Sequence, residues 1–174
     1  LRIMMEKLWS PWRSKYIESF KSDKTKSECI FCEMLELNPN DTSNLLIDNG
    51  RRTITVLNLY PYNNGHLMIV PKSHTSEFSG LNPEEISECF QKLQLAEKAI
   101  KKTLNPNGFN IGANIGRVAG AGIEDHIHFH IVPRWSGDSN FMPVIGDVKV
   151  ISQDLAETKS KLLKAYSELI NNQC

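Results

Sequence analysis

The stretch His126-Ile127-His128-Phe129-His130-Ile131-Val132-Pro133-Arg134 decides how this chain is interpreted. Its three histidines alternate with apolar residues, and successive side chains of a strand point to opposite faces. The pattern therefore predicts a strand with three imidazoles on one face and apolar side chains on the other. Because histidine is only intermediate in its preference for burial, such a face gains little from packing. It is typical of metal binding or of phosphate chemistry through a histidine nucleophile.

Length and composition restrict the class of protein. The 174 residues fit one domain, 40% of them are hydrophobic, and 20 basic residues balance 20 acidic ones. A neutral chain without a basic stripe is not expected to bind nucleic acid. No apolar run approaches the roughly 20 residues that cross a bilayer, and residues 1–20 lack the apolar stretch of a signal peptide. We therefore expect no membrane association, a cytoplasmic location, and cysteines that are reduced or metal-bound.

Turn signals and hydrophobic periodicity predict the organisation of the chain. Residues 1–28 form an aromatic-rich and then lysine-rich N-terminal arm, and residues 29–174 form a single domain that ends in a helix. Within the domain, the order of hairpin, helix, hairpin and helix is an α+β pattern with a mainly antiparallel sheet of about five strands and two helices. The predicted elements are a short helix at 29–37, strands at 53–59, 67–70 and 108–115, the histidine strand, a helix capped by Asn82 from Pro83, and a helix at 155–170.

A Gly/Ala-rich segment at residues 116–122 precedes the histidine strand and is predicted to be a loop. Small residues let backbone N–H groups approach a phosphate closely. A neutral imidazole is a good nucleophile near pH 7, and attack on an α-phosphorus divides one displacement into two easier steps. The alternatives are a row of histidines satisfied within the core and a three-histidine metal site. The small-residue loop favours phosphate chemistry.

A second chemical signal is the pair Cys29-Ile30-Phe31-Cys32. Such a pair alone is weak evidence, because it is also found in redox sites and as buried thiols. Tetrahedral zinc needs two further ligands, and His74 in Pro71-Lys72-Ser73-His74 supplies a candidate imidazole. Cys89 and Cys174 have no partner by spacing.

The complete His-φ-His-φ-His-φ-φ pattern at 126–132, with φ an apolar residue, resembles the signature of the histidine triad family. The resemblance extends over about residues 29–145 and includes Asn58, the turn and strand at 63–72, and the segment 114–122. The chain looks most similar to the branch of diadenosine tetraphosphate phosphorylases and fragile-histidine-triad-like hydrolases. That branch tends to contain Trp-x-Pro-Trp-Arg, present here at 9–13, and the longer motif seen at 133–143.

The resemblance implies a nucleotidyl transferase or hydrolase that cleaves dinucleoside polyphosphates of the diadenosine tetraphosphate type. The expected reaction passes through a nucleotidyl-histidine intermediate on His128, with inorganic phosphate favoured as the acceptor. The expected catalytic residues are His128, His130, His126 and Asn114, and the expected nucleotide-binding residues are Asn58, His66, Gly120 and Gly122.

The resemblance also implies individual roles. His130 is expected to contact the phosphate or orient the nucleophile, and Asn114 to contact the scissile phosphate or the leaving group. Asn58 is expected to bind the ribose hydroxyls, although without the resemblance a strand-end or turn asparagine is the favoured interpretation. His66 is expected beside the triad as its partner rather than as a catalyst.

In zinc-bearing members of the family, the two cysteines, the histidine of the Pro-Lys-x-His segment and the first triad histidine bind the metal. The resemblance therefore implies a closed structural zinc site formed by Cys29, Cys32, His74 and His126. The alternative is that His126 only hydrogen-bonds within the active site and that the thiols are free. Mg²⁺ is expected to accompany the substrate polyphosphate, and the chain is expected to form a homodimer.

Three other functions remain open at this point. One is hydrolysis, with water as the acceptor. The second is cleavage of P–N bonds in nucleoside phosphoramidates by the same histidine. The third is nucleotide binding with little turnover, which the variant His128→Ala would separate from catalysis. The products formed would separate the first two from phosphorolysis.

Overall fold

The structure is a computed structural model and describes residues 29–138 and 153–172. The predictions made for the N-terminal arm, for the motif at 9–13 and for the end of the motif at 133–143 fall outside these residues.

The described residues form a five-stranded antiparallel sheet in the order β1-β2-β3-β5-β4. The strands join through antiparallel pairs only, as the α+β pattern predicts. The pairing of β3 with β5 brings together segments that are distant along the chain and sets Met68 opposite His130. The strands are β1 (Leu46–Asn49), β2 (Thr53–Leu57), β3 (Leu67–Pro71), β4 (Gly108–Ala113) and β5 (Phe129–Arg134).

Three α-helices are present in the described residues, α1 (Ile30–Glu33), α2 (Pro83–Leu104) and α3 (Leu155–Asn171). The expected count of two helices is therefore too low, because the short helix predicted at 29–37 forms as a third α-helix. The start of α2 is as predicted. The side chain of Asn82 accepts a hydrogen bond from the Glu85 N–H, and the Glu85 carboxylate accepts one from the Asn82 N–H. None of these described helices has the length and apolar character that a membrane span requires.

Strand β1 was not among the strands predicted individually. Its apolar residues form a short run that shows no clear alternation, and its pairing with β2 is irregular between Leu46 and Asp48. A tight turn follows the strand, where the Gly50 N–H donates to the Thr53 carbonyl at 2.8 Å. Its sequence signal, Asn49-Gly50, could have marked the end of a strand here.

The sheet separates two apolar clusters. Helices α2 and α3 pack on one face, where Ile127, Phe129 and Ile131 lie buried. Helix α1 covers the other face, and its cluster of buried residues comprises Phe31, Leu46, Ile54, Val56, Met68 and Val70. Because side chains alternate along an extended chain, the triad histidines lie on the α1 side. The alternation in the sequence thus correctly separated the core face from the chemical face.

Candidate active site and metal centre

A pocket opens on the histidine side of the sheet. It brings together two of the triad histidines with both predicted asparagines and two glycines of the small-residue loop. Tyr60, Tyr62, Met68 and Ile123 complete the lining, which contains no Asp or Glu among the described residues. The predicted residues in the lining are Asn58, Asn114, Gly120, Gly122, His128 and His130.

His128 lies at the wall of this pocket and is 4% exposed. Its Nδ1 lies 2.9 Å from the carbonyl oxygen of His126, so Nδ1 carries the proton and donates it in a hydrogen bond. The lone pair of the ring is then on Nε2. Burial lowers the pKa of His128 below its usual value, although the hydrogen bond to the His126 carbonyl opposes this. The lowered pKa favours the neutral imidazole. Its nucleophilic nitrogen is then Nε2, because Nδ1 is engaged in the hydrogen bond to the His126 carbonyl.

A chain of hydrogen bonds fixes the proton positions on the neighbouring histidines. The fully buried His66 accepts at Nδ1 from the Tyr62 N–H, 3.1 Å away, and the Asn58 amide lies 3.3 Å from the same nitrogen. His66 therefore carries its proton on Nε2, which lies 3.0 Å from Nδ1 of His130. His130 in turn holds its proton on Nε2. His66 thus lies beside the triad, as predicted, and touches His130 rather than lining the pocket.

Asn58 forms a local turn, and its side chain also reaches the pocket. Its Oδ1 accepts from the Tyr60 N–H at 2.9 Å, which is an Asx turn directly after β2. The same side chain lines the pocket. The turn reading is therefore correct as local structure, and the position in the lining leaves the residue within reach of a ligand.

The small-residue loop closes another part of the pocket. Gly116 and Gly120 have φ angles of 77° and 90°, a region that glycine enters at little cost. They flank a 3₁₀ turn at Arg117–Ala119. The Asn114 side chain donates to the carbonyl of Gly120 at 3.4 Å, which ties the end of β4 to this loop. The predicted loop thus lies against the histidines, with the backbone close to the pocket.

The four predicted metal ligands converge beside the pocket. Cys29 is the N-cap residue of α1 and Cys32 lies three residues further, within the helix, so both thiols lie on one side of it. The Nδ1 of His126 is 3.2 Å from the Cys29 sulfur and 3.7 Å from the Cys32 sulfur, and the Nδ1 of His74 is 3.4 Å from the Cys32 sulfur. The four ligand atoms lie within 4.8 Å of one another. Tetrahedral zinc with bonds of about 2.0–2.3 Å needs a similar spacing, so the residues fit this metal.

The ring of His126 is oriented for this cluster rather than for the pocket. Its Nε2 donates to the carbonyl of Pro71 at 2.8 Å, which leaves Nδ1 to face the thiols. Burial lowers the pKa of His126 and favours the neutral form that binds metals. Burial and the adjacent Cys29 thiol raise the pKa of Cys32. The fully buried His126, predicted in both sets, therefore lies with the metal ligands.

The segment that carries His74 is held by two further contacts. The hydroxyl of Ser73 donates to the buried carboxylate of Glu85, which also belongs to the capping box of α2. The carbonyl of Thr75 accepts from the Ile127 N–H at 2.7 Å. The start of α2 and the triad segment together hold this segment in place next to the cysteines.

Several residues at the site were not predicted from the sequence. Tyr60 and Tyr62 line the pocket, and the ring of Tyr62 stacks on His66 with centroids 4.9 Å apart. Two tyrosines between Asn58 and His66 are a signal that sequence reasoning could have used. Phe31 and Met68 carry no such signal, because an apolar side chain in a strand or helix is ordinarily interpreted as core.

The HIT domain family matches residues 38–137, which is more than half of the 174 residues. The protein therefore belongs to the histidine triad family, and it is an enzyme of this family. A relative, the AP-4-A phosphorylase of Mycobacterium tuberculosis, is 40% identical over 171 residues that cover 95% of this chain and 87% of the relative.

Two further comparisons agree with this family assignment. An uncharacterised HIT-like protein of Methanocaldococcus jannaschii is 32% identical over 126 residues, 72% of this chain and 93% of the relative. The crystal structure of a Zn-bound histidine triad family protein from Mycobacterium smegmatis has a similar fold, with a TM-score of 0.66 at 24% identity. The structural match covers 83% of this chain and 97% of the Mycobacterium smegmatis chain.

Proposed function

We propose that this enzyme cleaves dinucleoside polyphosphates of the diadenosine tetraphosphate type by phosphorolysis, with His128 as the nucleophile. The observation that carries the proposal is the hydrogen bond from His128 Nδ1 to the His126 carbonyl, because it assigns the lone pair to Nε2 at the pocket wall. The name of the 40% identical relative supports the substrate and the acceptor.

The reaction divides into two displacements at the same phosphorus. Nε2 of His128 forms a bond to the α-phosphorus while the bond to the bridging oxygen breaks, and ATP leaves from diadenosine tetraphosphate. The ring becomes a cation whose Nδ1–H still donates to the His126 carbonyl, and this hydrogen bond strengthens as charge develops. An oxygen of inorganic phosphate then attacks, the P–N bond breaks, ADP forms, and His128 is neutral again. The proton of the attacking phosphate stays on ADP or passes to solvent.

The surrounding residues stabilise the charge that moves in these steps. We assign to His130 the donation of its Nε2–H to a phosphoryl oxygen, since His66 occupies its Nδ1. Asn114 and the backbone near Gly120 and Gly122 are assigned to the phosphate chain. Asn58 is assigned to the ribose, where its remaining amide hydrogen is available to a hydroxyl oxygen.

We also propose that Cys29, Cys32, His74 and His126 bind zinc. The ion would serve as a structural cross-link with all four positions filled by protein, and it would take no part in the displacements. The support is the convergence of the two thiols and two imidazoles, together with the proton position on His126. Metal analysis of the purified protein tests this, and we expect about one zinc per chain.

We propose a homodimer that uses the β4 side of the molecule. Strand β4 is at an edge of the described sheet, and its Ile111 is 53% exposed, with Ile115 just beyond the strand 50% exposed. An exposed apolar edge is a template for pairing with a second chain. Light scattering after size exclusion should give twice the chain mass of 19.7 kDa. A mass of one chain would contradict this proposal.

A product assay tests the reaction. The purified protein is incubated with diadenosine tetraphosphate, with and without inorganic phosphate, and the nucleotides are separated by chromatography. We expect ADP plus ATP, formed only with phosphate and absent with the His128→Ala variant.

Other products would change the assignment. AMP plus ATP without phosphate would make the protein a hydrolase. No turnover of this substrate, together with cleavage of adenosine phosphoramidate, would assign it to P–N bond cleavage. Binding of ATP without turnover of either substrate would indicate a nucleotide-binding module.

A further inference from the structure

Phe31 occupies the position between the two cysteines of the metal cluster. It is fully buried and belongs to the apolar cluster on the histidine side of the sheet. Helix α1 has only four residues, so this ring is its main apolar anchor. A side chain with this position fixes how the helix that carries the thiols sits on the sheet.

The same ring touches histidines of both sites. Its centroid is 5.5 Å from that of His126 in an edge-on arrangement and 5.0 Å from that of His128 in a tilted one. These are distances at which aromatic rings attract one another beyond simple burial. Phe31 is therefore in contact with a metal-ligand candidate and with the proposed nucleophile at once.

The ring of His128 needs such a contact to stay in place. The torsion about its Cβ–ring bond is broad, so the rotamer alone does not fix the ring plane. One hydrogen bond, from Nδ1 to the His126 carbonyl, holds one edge of the His128 ring. The remaining rotation of the ring is limited by the side chains packed against it. Those neighbours include Phe31 on one side and His130, with centroids 4.8 Å apart, on another.

We propose that Phe31 is a positioning residue that holds the ring of His128 for attack and makes the metal-bearing helix α1 a wall of the nucleophile's site. The proposal rests on the proposed function for its kinetic consequence, and on the ring contacts for its structural one. A shorter side chain at this position leaves space beside His128, which lets the ring turn and admits water. The proposal predicts lower turnover with the metal cluster still intact.

The first test compares Phe31→Leu with Leu46→Val as a matched control. Leu46 is fully buried in the same cluster, and its aliphatic side chain has no aromatic ring to contact the histidines. Both variants are assayed as the zinc-loaded protein, with the zinc content measured for each. We expect Phe31→Leu to lower kcat about tenfold or more, because small misplacement of a reacting group has large effects on rate. KM should change by less than about twofold, and Leu46→Val should resemble the unaltered protein.

A second measurement does not depend on the substrate. Diethyl pyrocarbonate modifies neutral imidazoles, and mass spectrometry gives its rate at His128. We expect faster modification of His128 in Phe31→Leu than in Leu46→Val, although turnover is slower. A general loss of stability is not expected to raise the modification rate of His128 relative to the control variant while it lowers kcat. Equal modification rates and equal kcat in the two variants would overturn the proposal.

Phe31→Met keeps the test decisive if the leucine variant does not fold. Methionine has about the same volume as leucine, but its unbranched and flexible chain reaches further towards the histidines and lacks the flat ring. We expect it to retain the zinc content and to show the same two changes in weaker form. Full activity and unchanged His128 modification in this variant would show that a flexible apolar chain is sufficient, which would overturn the role of the ring. If the unaltered protein does not cleave diadenosine tetraphosphate, the proposed function fails, while the modification rates still decide about Phe31.

Discussion

The two histidines at 126 and 128 lie on the same face of the same segment, yet their rings are used in opposite ways. His126 donates from Nε2 to the Pro71 carbonyl and presents Nδ1 to the thiols. His128 donates from Nδ1 to the His126 carbonyl and retains its lone pair on Nε2 at the pocket. The residue type and the strand face are therefore not sufficient to define the chemistry. The position of the backbone carbonyl that accepts the hydrogen bond from the ring N–H decides which ring nitrogen keeps its lone pair available.

The largest expected effect comes from removing the nucleophile on the pocket side of this comparison. His128→Ala should lower turnover by about 10³-fold or more, because the two-step route through a covalent intermediate is lost. Zinc content should remain that of the unaltered protein, because His126 alone of the two is expected to bind the metal. Chromatographic product assays and metal analysis measure the two quantities. Loss of zinc in His128→Ala would show that the two histidines are not functionally separate.

The complementary change removes a ligand on the metal side. Cys32→Ser should abolish stoichiometric zinc binding and lower Tm by about 5 °C or more, since each kcal/mol corresponds to roughly 2–4 °C in a domain of this size. Turnover should fall less than in His128→Ala. The matched control is Cys89→Ala, which removes a buried thiol outside the cluster and should leave the zinc content unchanged. Retention of a full zinc equivalent in Cys32→Ser would contradict the proposed ligand set.

An intermediate effect is expected at His66, which determines the proton position of His130 without lining the pocket. His66→Ala removes the donor to His130 Nδ1. The ring of His130 can then carry its proton on either nitrogen. We expect kcat to fall by about 10–100-fold with a smaller change in KM, the range found when a residue that orients a functional histidine is removed. Steady-state kinetics measure both constants. A variant with raised KM and unchanged kcat would instead place His66 in substrate binding.

The smallest effect is expected from the hydrogen bond behind the metal cluster. Ser73→Ala removes the donor to Glu85 next to His74, and we expect zinc affinity to fall by about tenfold. Competition with a chromophoric chelator measures this affinity. Ser87→Ala, which alters an exposed hydroxyl that accepts from Gln91, is the control and should bind zinc as the unaltered protein does. Equal affinities in the two variants would limit Ser73 to stabilising the start of α2.

Much of the fold was predictable because its signals are local. The alternation at 126–132 separated the two faces of this extended segment, although β5 itself begins only at Phe129, and the capping box at Asn82 and Glu85 marked the start of α2. The bounds of α1 within the short helix predicted at 29–37, and the strand β1, were harder to predict, because both elements are four residues long and give too few periods for a pattern. Their formation depends on packing over the sheet rather than on intrinsic preference.

The sequence by itself determined which side chains share the histidine face and which helix carries the paired cysteines. It also determined the hydrogen bond of His128, whose acceptor is only two residues away. The tertiary structure decided the rest. The acceptor for His126 is 55 residues distant, His66 reaches His130 across 64 residues, and Phe31 meets both sites only after α1 packs on the sheet. A pattern of spacings fixes the direction of a side chain, but its hydrogen-bond partner depends on where distant segments of the chain come to lie.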